Sequence, residues 1–217
     1  MIMIPCVQGE ATWFAARCGV ITASKYRDAL DKTAKGAWTA KSCAYAAQVA
    51  LERVTGESTD ENFVSWQMRR GTELEPEARR AYEVATGNVA RESGVVLTDD
   101  RVFGYSTDGL IEDDGLVEIK CVVNAEKLID VWGFEELSEY RHQMQGGLWL
   151  TGRKWCDFVM YAPQLAPIGK ELFVKRITRD EDFIGKMEID LLAFANRVAE
   201  NEAILRRPIE QPAMVAA

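Results

Sequence analysis

The fold is decided by residues 103–121, which read FGYSTDGLIEDDGLVEIKC. Glycines bracket a short first strand, and the acidic run EDDG is typical of a hairpin turn. The strand that follows, residues 116–121, places Glu118 and Lys120 on one face because side chains alternate along a strand. An antiparallel hairpin would bring Asp108, at the end of the first strand, beside Glu118. The segment therefore predicts two carboxylates and a lysine at one point of a sheet.

These three residues predict a metal site that acts on phosphodiesters. Two carboxylates form a hard oxygen site that suits Mg²⁺, with Mn²⁺ able to substitute. A metal held there lowers the pKa of a bound water, and Lys120 can hold or deprotonate that water and offset developing negative charge. Asp-x(n)-Glu-x-Lys is the pattern of the PD-(D/E)xK nucleases. The alternative is a charged, solvent-exposed face on an edge hairpin.

The composition limits the class of protein. The 217 residues, 47% of them hydrophobic, suffice for one core, and we expect a single domain. No apolar run approaches the roughly 18 residues of a membrane span, and the N-terminus does not resemble a signal peptide. Five scattered cysteines without a CxxC pair fit a reducing cytoplasm and argue against cysteine-ligated zinc or an iron–sulfur cluster. With His142 as the single histidine, metalloproteases and His-dependent hydrolases are disfavoured.

The charge is unevenly distributed along the chain. The net charge is −8, but residues 1–56 hold seven Lys/Arg and four Asp/Glu, so that segment is positive. A nuclease needs a basic track only where the nucleic-acid backbone runs, and its metal ligands are acidic. The acidic balance therefore does not exclude nucleic acid as a substrate. The basic loop 32–41 is either a solvated loop or an arm that follows phosphates.

The order of the predicted elements gives the fold class. Helices come first, then a hairpin-rich sheet, then a helix–strand–strand–helix sequence. This order predicts an α/β (α+β) fold, in which helices flank a mixed central sheet and an N-terminal helical layer is added. The predicted strands are residues 94–98, 102–106, 116–121, 155–161 and 171–176. The predicted helices are residues 13–17, 22–30, 42–53 (capped by Ser42), 63–70, 72–86, 125–132, 136–150 and 180–206.

Three glutamates stand at the start of one predicted helix. One of Glu73, Glu75 and Glu77 could lie near the metal as an outer ligand. Acidic residues in a first helical turn are favourable in any protein, because they face the positive end of the helix dipole. Spacing alone does not choose among the three.

The predicted helix 136–150 carries two further candidates. Tyr140 and Gln143 share a face and could orient water or phosphate, although such a face is usually an ordinary surface. Gly146 and Gly147 lie inside the same helix, at a cost of about 1 kcal/mol each relative to alanine. Close approach of another backbone would explain them.

A phosphate pocket is the third candidate feature. Arg17, Ser24 and Ser106 are polar residues in apolar or glycine-rich surroundings. Ser24 falls at a predicted helix start, where backbone N–H groups, a hydroxyl and a nearby arginine can bind a phosphate. The alternative is a plain helix cap beside a surface arginine.

Three blocks of the sequence resemble the lambda-type exonucleases, the YqaJ-like viral recombinase family. The first block is WFAARCGVITAS at residues 13–24, and the second is GTELEPEAR at 71–79. The third runs from STDGL at 106–110 through GLVEIKC at 115–121 to YRHQMQ at 140–145. The chain departs from the PD signature at Thr107, where the signature has proline.

The resemblance implies a restriction-endonuclease-like core and a Mg²⁺-dependent exonuclease. Family members digest the 5′-ended strand of linear double-stranded DNA and leave a 3′ overhang for a single-strand annealing protein in phage-type recombination. They are similar in assembling as ring-shaped homotrimers. With no membrane segment, we expect a cytoplasmic protein of a bacterial or phage-infected cell. An endonuclease of the same fold and an inactive DNA-end-binding protein are the alternatives.

The resemblance also implies an organisation and residue roles for this chain. A single nuclease domain would span residues 1–217, with a helical DNA-binding part at about 1–90, a metal-site core at about 91–178 and a C-terminal helix at about 180–206. The metal ligands would be Asp108, Glu118 and the Ile119 carbonyl oxygen. The water would be positioned by Lys120, with support from Glu75, Tyr140 and Gln143. The pocket for the 5′-phosphate would be formed by Arg17, Ser24 and Ser106. The wedge that separates the strands would be Met68.

Overall fold

The computed structural model describes residues 1–59 and 66–208, without the side chains of Gln67 and Met68, as a mixed α/β fold. The strands β1 to β8 are Ile2–Ile4, Ile21–Thr22, Val95–Leu97, Phe103–Ser106, Gly109–Ile111, Gly115–Cys121, Trp155–Tyr161 and Leu172–Thr178. The helices α1 to α7 are Ala11–Arg17, Tyr26–Ala29, Ala40–Thr55, Trp66–Thr86, Ala125–Phe134, Ser138–Thr151 and Glu181–Leu205. Short 3₁₀ helices span Ala23–Lys25 and Pro163–Ile168. Among the helices so described, none is long and apolar enough to cross a membrane.

The predicted central sheet is two four-stranded sheets within the described residues. The first sheet has the order β1-β3-β4-β2, and only the β2–β4 pair is parallel. Strands β3 and β4 are the predicted ones, whereas β1 and β2 are not in the prediction. With three and two residues, these strands are too short for alternation to be visible. Their strand conformation depends on pairing with residues roughly 80 to 95 positions away along the chain.

The second sheet, β5-β6-β7-β8, carries the hairpin. Strand β6 is antiparallel to β5 and parallel to β7, to which it is joined through α5 and α6, the helical crossover that a parallel pair requires. Residues from Cys156 to Tyr161 of β7 are buried without interruption, as in a strand covered on both faces. Its neighbour β6 is likewise buried from Gly115 to Ile119, whereas the edge strand β8 is only partly buried.

The strand predicted to pair with β6 in the hairpin is the wrong one. The strand before Asp108, β4, belongs to the first sheet, and the partner of β6 is β5, with Gly109 opposite Val117. Asp108 lies in the two-residue connection that carries the chain from one sheet to the other. Thr107 fixes this connection, because its hydroxyl donates to the Gly109 carbonyl (2.9 Å) and accepts from the Gly109 N–H (3.1 Å).

Helices cover both faces of the second sheet. On one face α4 packs over Val117 and Ile119, and on the other Leu148 of α6 packs in a cluster with Leu116. Behind this layer α3 packs on α7. Each fully buried aliphatic side chain stabilises the fold by about 1.5–3 kcal/mol. The end of β6, where Glu118 and Lys120 lie, is thus held between two helices.

The two helices predicted for residues 63–70 and 72–86 are a single helix, α4, from Trp66; residues 63–65 lie outside the described part. Gly71 and Pro76 lie inside it, at costs of about 1 and 3 kcal/mol relative to alanine. Burial of Ala78 and Tyr82, both 0% exposed, offsets part of this cost. The three glutamates of this region therefore lie in the middle of a helix and gain little from its dipole.

Two predicted helix starts also differ. The cap of α3 is Thr39, whose hydroxyl accepts from the Ser42 N–H at 3.3 Å, while the Ser42 hydroxyl donates to the Ala29 carbonyl at 2.7 Å. A hydroxyl with a better partner in another element does not cap its own helix. Ser24 likewise lies within the short 3₁₀ turn that precedes α2 and does not cap a longer helix.

Candidate active site

Glu118 is the centre of a buried polar cluster. The side chain is 1% exposed, and its Oε1 accepts hydrogen bonds from Lys120 Nζ (2.7 Å) and from Gln143 Nε2. Its Oε2 accepts one from the Tyr105 hydroxyl at 2.8 Å. Hydrogen bonds to a charged group contribute about 1.5–3 kcal/mol each, which offsets the desolvation of the carboxylate. The shared face of Glu118 and Lys120 is the one that strand alternation predicts.

Asp108 is the second buried carboxylate. It is 8% exposed, and its Oδ2 accepts the Ile119 N–H of β6 at 2.7 Å. Burial, together with the negative charges of Glu118 and Glu75, raises the pKa of Asp108 well above its usual range. The three acidic groups are therefore close enough to repel one another, and a cation bound among them would relieve that repulsion.

Of the three glutamates in α4, Glu75 faces this cluster. Burial raises its pKa and the charge of Glu118 adds to that shift, while the Arg79 guanidinium, paired with Glu75 at 2.9 Å, opposes it. Glu77 instead accepts a hydrogen bond from the Tyr161 hydroxyl at 2.7 Å, and Glu73 is exposed. The structure thus distinguishes Glu75 from Glu73 and Glu77, which the spacing in the sequence does not.

The donor set fits a hard divalent cation. Asp108, Glu118 and the Ile119 carbonyl would supply oxygen ligands, which are the kind that Mg²⁺ prefers. Over residues 1–59 and 66–208, no group of three or more His, Cys, Asp or Glu side chains could hold a metal alone. Mg²⁺ keeps several waters and binds through one or two carboxylates plus substrate oxygens, so two side chains and a carbonyl suit it.

Lys120 and Tyr140 complete this end of the site. Burial alone would lower the pKa of Lys120, but the Glu118 and Asp108 carboxylates outweigh it and raise the pKa above its usual value. The Tyr140 ring packs against Phe158, with ring centroids 4.9 Å apart, and burial raises the pKa of its phenol. The charged ammonium group of Lys120 therefore lies next to the Glu118 carboxylate.

Two of the predicted phosphate-binding residues are joined by Trp13. Its indole N–H donates to the Ser106 hydroxyl at 2.8 Å, and the Arg17 guanidinium lies 4.2 Å from the centroid of its ring. Ser24 is placed by a different contact, 3.4 Å between its hydroxyl oxygen and that of Thr22. Met68, the predicted wedge, belongs to α4, but its side chain is outside the described part.

A cleft of about 130 Å³ is lined by one residue from each of the two groups. It is lined by Cys6, Val7, Gln8, Thr72, Glu75, Pro76, Arg79, Glu92, Ser93, Gly94, Ser106 and Thr107. Glu75 from the carboxylate cluster and Ser106 from the Trp13 group thus open into one space. A larger depression of about 560 Å³ lies between α6 and the start of α7, but its arginines are paired with carboxylates.

The basic loop is folded onto the protein. Lys32 forms an ion pair with Asp190 at 2.6 Å and lies 4.6 Å from the centroid of the Trp38 ring. Lys41 forms an ion pair with Asp28 at 2.6 Å. An arm that follows phosphates would have to exchange these exposed ion pairs for phosphate contacts, at a cost of about 0–1 kcal/mol each.

Comparison with known proteins identifies the family of this chain. A family model described as the YqaJ-like viral recombinase domain matches residues 12–154. The chain belongs to the YqaJ-like viral recombinase family. The YqaJ-like chain is 38% identical to the alkaline exonuclease LHK-Exo from Laribacter hongkongensis, with a TM-score of 0.80 over 91% of this chain and 97% of that one. The structure of LHK-Exo in complex with dAMP gives the same values.

A more distant likeness extends the fold comparison. A phage related exonuclease from Haemophilus somnus 129PT matches with a TM-score of 0.66 and 16% identity, over 86% of this YqaJ-like chain and 96% of its own length. At that identity the match concerns the fold alone. No curated protein matches the sequence. The predicted α/β core of the restriction-endonuclease-like type is confirmed.

Tyr105 and Trp13 are site residues to which the sequence analysis assigns no role. Tyrosine and tryptophan usually find a hydrogen-bond partner when buried, and here the partners are Glu118 and Ser106. Both aromatic residues lie in or next to blocks shared by the YqaJ-like family. Their positions near candidate residues in the sequence are the feature that could have predicted a role for them.

The two glycines of α6 are explained by aromatic rings, not by the predicted approach of another backbone. A Cβ at Gly146 would come within 2.7 Å of the Tyr26 ring, and one at Gly147 within 2.7 Å of the Tyr105 ring. Gly147 therefore provides the space that lets the Tyr105 hydroxyl reach Glu118.

Gly147→Ala is expected to weaken Mg²⁺ binding by about tenfold and to lower stability by about 1–3 kcal/mol, because the new methyl group must displace the buried Tyr105 ring from Glu118. Calorimetric titration with Mg²⁺ and chemical denaturation measure the two effects. Tyr105→Phe, which removes only the hydroxyl, is expected to reproduce the loss of Mg²⁺ affinity with a smaller loss of stability.

Gly185→Ala is the matched control. Gly185 also lies inside a helix, but a Cβ there meets nothing within 4 Å. Alanine at this position is expected to stabilise the helix by up to about 1 kcal/mol and to leave Mg²⁺ binding unchanged. Wild-type Mg²⁺ affinity in both Gly147→Ala and Tyr105→Phe would contradict a supporting role for Tyr105.

Proposed function

We propose that this chain is a Mg²⁺-dependent exonuclease that digests the 5′-ended strand of linear double-stranded DNA. The product would be a 3′ single-stranded overhang that a single-strand annealing protein uses in phage-type recombination. The observation that carries the proposal is the pair of buried carboxylates Asp108 and Glu118 with Lys120 bonded to Glu118, together with the cleft that Glu75 and Ser106 both line. Family membership and the likeness to an alkaline exonuclease support it.

The chain's own residues divide the chemistry among them. Mg²⁺, or Mn²⁺ in its place, would polarise the phosphodiester and make a bound water more acidic. Asp108, Glu118 and the Ile119 carbonyl would bind the ion. Lys120 would hold the attacking water and stabilise the negative charge that develops on the phosphate, since its ammonium group has three donors.

The remaining polar residues keep these groups in place. Gln143 and Tyr105 hold the two oxygens of Glu118, and the Ile119 N–H holds Asp108. Glu75 would act as an accessory acid in the neighbourhood of the metal, and Tyr140 would support the site. Preorganised groups of this kind need no rearrangement as the reaction proceeds.

End recognition would depend on the residues around Trp13. A terminal 5′-phosphate offers oxygens to the Arg17 guanidinium and to the Ser106 and Ser24 hydroxyls, and charge-assisted hydrogen bonds of this type are strong. Met68 is proposed as the apolar wedge at the strand junction.

Assembly and location are the further parts of the proposal. We propose a ring-shaped homotrimer that stays on its DNA between cuts, in the cytoplasm of a bacterial or phage-infected cell. Large apolar side chains exposed on α5 and α7 offer surface that self-assembly would bury, namely Ile129, Phe134, Ile189 and Leu192. Five free cysteines among the described residues fit a reducing compartment.

The test compares linear duplexes that carry a 5′-phosphate or a 5′-hydroxyl with covalently closed circular duplex. With label placed at each end in turn, we expect Mg²⁺-dependent loss from the 5′ end, faster on the phosphorylated end. Cleavage of closed circles would indicate an endonuclease. Binding of ends without Mg²⁺-dependent digestion would indicate an inactive end-binding protein.

The same assay tests the phosphate pocket through Arg17→Ala. The variant is expected to be slower on phosphorylated ends by about ten- to a hundredfold, the effect of charge-assisted hydrogen bonds lost from the phosphate. Its rate on 5′-hydroxyl ends should change little, so the preference between the two ends should approach unity. An unchanged preference would remove Arg17 from the pocket and would leave the metal site unaffected.

A further inference from the structure

Glu52 is a buried carboxylate that the proposed chemistry does not use. It lies near the end of α3 and is 5% exposed. Its Oε2 accepts the Gly19 N–H at 2.9 Å, and its Oε1 accepts both the N–H (2.9 Å) and the hydroxyl (2.6 Å) of Thr59. Three hydrogen bonds to a buried carboxylate hold its side chain in one position.

The helix holds Gly19 from both sides. While Glu52 accepts the Gly19 N–H, the next residue, Arg53, donates its Nε–H to the Gly19 carbonyl at 2.8 Å. Gly19 has a φ of +71°, and a Cβ there would come within 2.7 Å of Arg53 Cγ. Only glycine therefore fits between the turn and the helix.

This contact lies inside the segment that supplies the proposed phosphate pocket. Gly19 follows Arg17 by two residues and precedes Ser24 by five. The turn is closed by the Val20 N–H, which donates to the Arg17 carbonyl at 3.0 Å. Movement of Gly19 would therefore displace Arg17 relative to Trp13 and Ser106, the residues that join it to the cleft.

The second contact of Glu52 reaches another part of the chain. Thr59 lies seven residues before the first residue of α4, the helix that carries Glu75 into the cleft. One carboxylate thus binds both the turn after Arg17 and the chain that leads into α4.

We propose that Glu52 is a positioning residue of the 5′-phosphate pocket. By accepting hydrogen bonds from Gly19 and Thr59, it holds Arg17 where a terminal phosphate can bind, without touching the DNA itself. The inference rests on the proposed function, because it needs a 5′-phosphate pocket at Arg17. Glutamine cannot replace it fully, since one of its two terminal atoms is an NH₂ group that would face a donor instead of accepting from it.

The test is Glu52→Gln in the full chain, assayed with linear duplexes that carry a 5′-phosphate or a 5′-hydroxyl. We expect kcat/KM on phosphorylated ends to fall about tenfold, mainly through KM, and the rate on 5′-hydroxyl ends to change by less than about twofold. A merely structural role would slow both substrates alike. An unchanged ratio between the two substrates would overturn the inference.

Two further variants keep the result interpretable. Glu57→Gln makes the same charge change at an exposed position five residues away and should leave the ratio at its wild-type value. If Glu52→Gln fails to fold, Thr59→Val, which removes only the hydroxyl donor, should lower the ratio in the same direction; an unchanged ratio there overturns the inference.

Arg17→Ala separates this inference from the pocket itself. If Arg17→Ala removes the preference for phosphorylated ends and Glu52→Gln does not alter it, the pocket stands and the positioning role of Glu52 fails. If neither variant alters the preference, the phosphate pocket fails and the role of Glu52 fails with it.

Discussion

Glu118→Gln and Asp108→Asn are each expected to lower DNA digestion by roughly 10³-fold at saturating Mg²⁺, on the order of 4 kcal/mol of transition-state stabilisation. Each variant replaces a proposed, charged metal ligand by a neutral amide, and an ion held by one carboxylate would neither bind tightly nor activate water. DNA binding should survive, because removing negative charge next to phosphate does not weaken it. Single-turnover digestion and fluorescence anisotropy measure the two properties.

For Asp108→Asn, the expected loss of activity is not a loss of folding. Because burial beside Glu118 and Glu75 raises the pKa of Asp108, the folded protein binds a proton there more tightly than the unfolded chain does. That difference costs stability as the pH rises above the unfolded value, and Asp108→Asn removes the cost. In the absence of metal, this variant should therefore melt no lower than wild type at neutral pH.

Asp113→Asn is the matched control on the same hairpin. Asp113 is exposed in the turn between β5 and β6, so the same change should leave the rate within about twofold of wild type. More than a few per cent of wild-type activity in either Glu118→Gln or Asp108→Asn would contradict the assignment of the metal ligands.

Lys120→Ala is expected to lower the digestion rate by roughly 10²–10³-fold without weakening Mg²⁺ binding. The Lys120 ammonium lies 2.7 Å from Glu118 and competes with a metal for that carboxylate, so its removal should leave Mg²⁺ affinity equal or higher. Calorimetry measures the affinity, and single-turnover kinetics measure the rate. Lys154→Ala, at a 72% exposed lysine, should change neither. A large loss of Mg²⁺ affinity in Lys120→Ala would contradict this division of roles.

The part of the site that the sequence predicts is the part that local geometry determines. Alternation along one strand is sufficient to bring Glu118 and Lys120 together, and the chemistry of carboxylates and ammonium groups indicates what such a pair does. Helix α6 and strands β6 to β8 likewise follow from patterns within a few residues. The residue roles beyond this geometry stay predictions.

The other features of the fold and the site depend on contacts between residues far apart in the sequence, which local patterns do not predict. Strands β1 and β2 exist only through partners far along the chain, so the sequence predicts one sheet where there are two. Gly71 suggests a break in α4, but tertiary packing overrides that weak preference. Tyr105 becomes part of the site through a glycine 42 residues later, a pairing that only the folded protein reveals.

In the proposed mechanism, the two-residue connection between the sheets would fix the distance between the phosphate pocket and the metal site. Ser106, of the proposed phosphate pocket, and Asp108, of the proposed metal site, are separated only by Thr107, and two residues of backbone span at most about 7 Å. Thr107 is 6% exposed, and its hydroxyl is hydrogen-bonded to both the N–H and the carbonyl of Gly109, so the connection between the two sheets is rigid. The span of at most about 7 Å is comparable with the length of one nucleotide. The size of each released product would then be set by covalent geometry, whatever the sequence of the DNA.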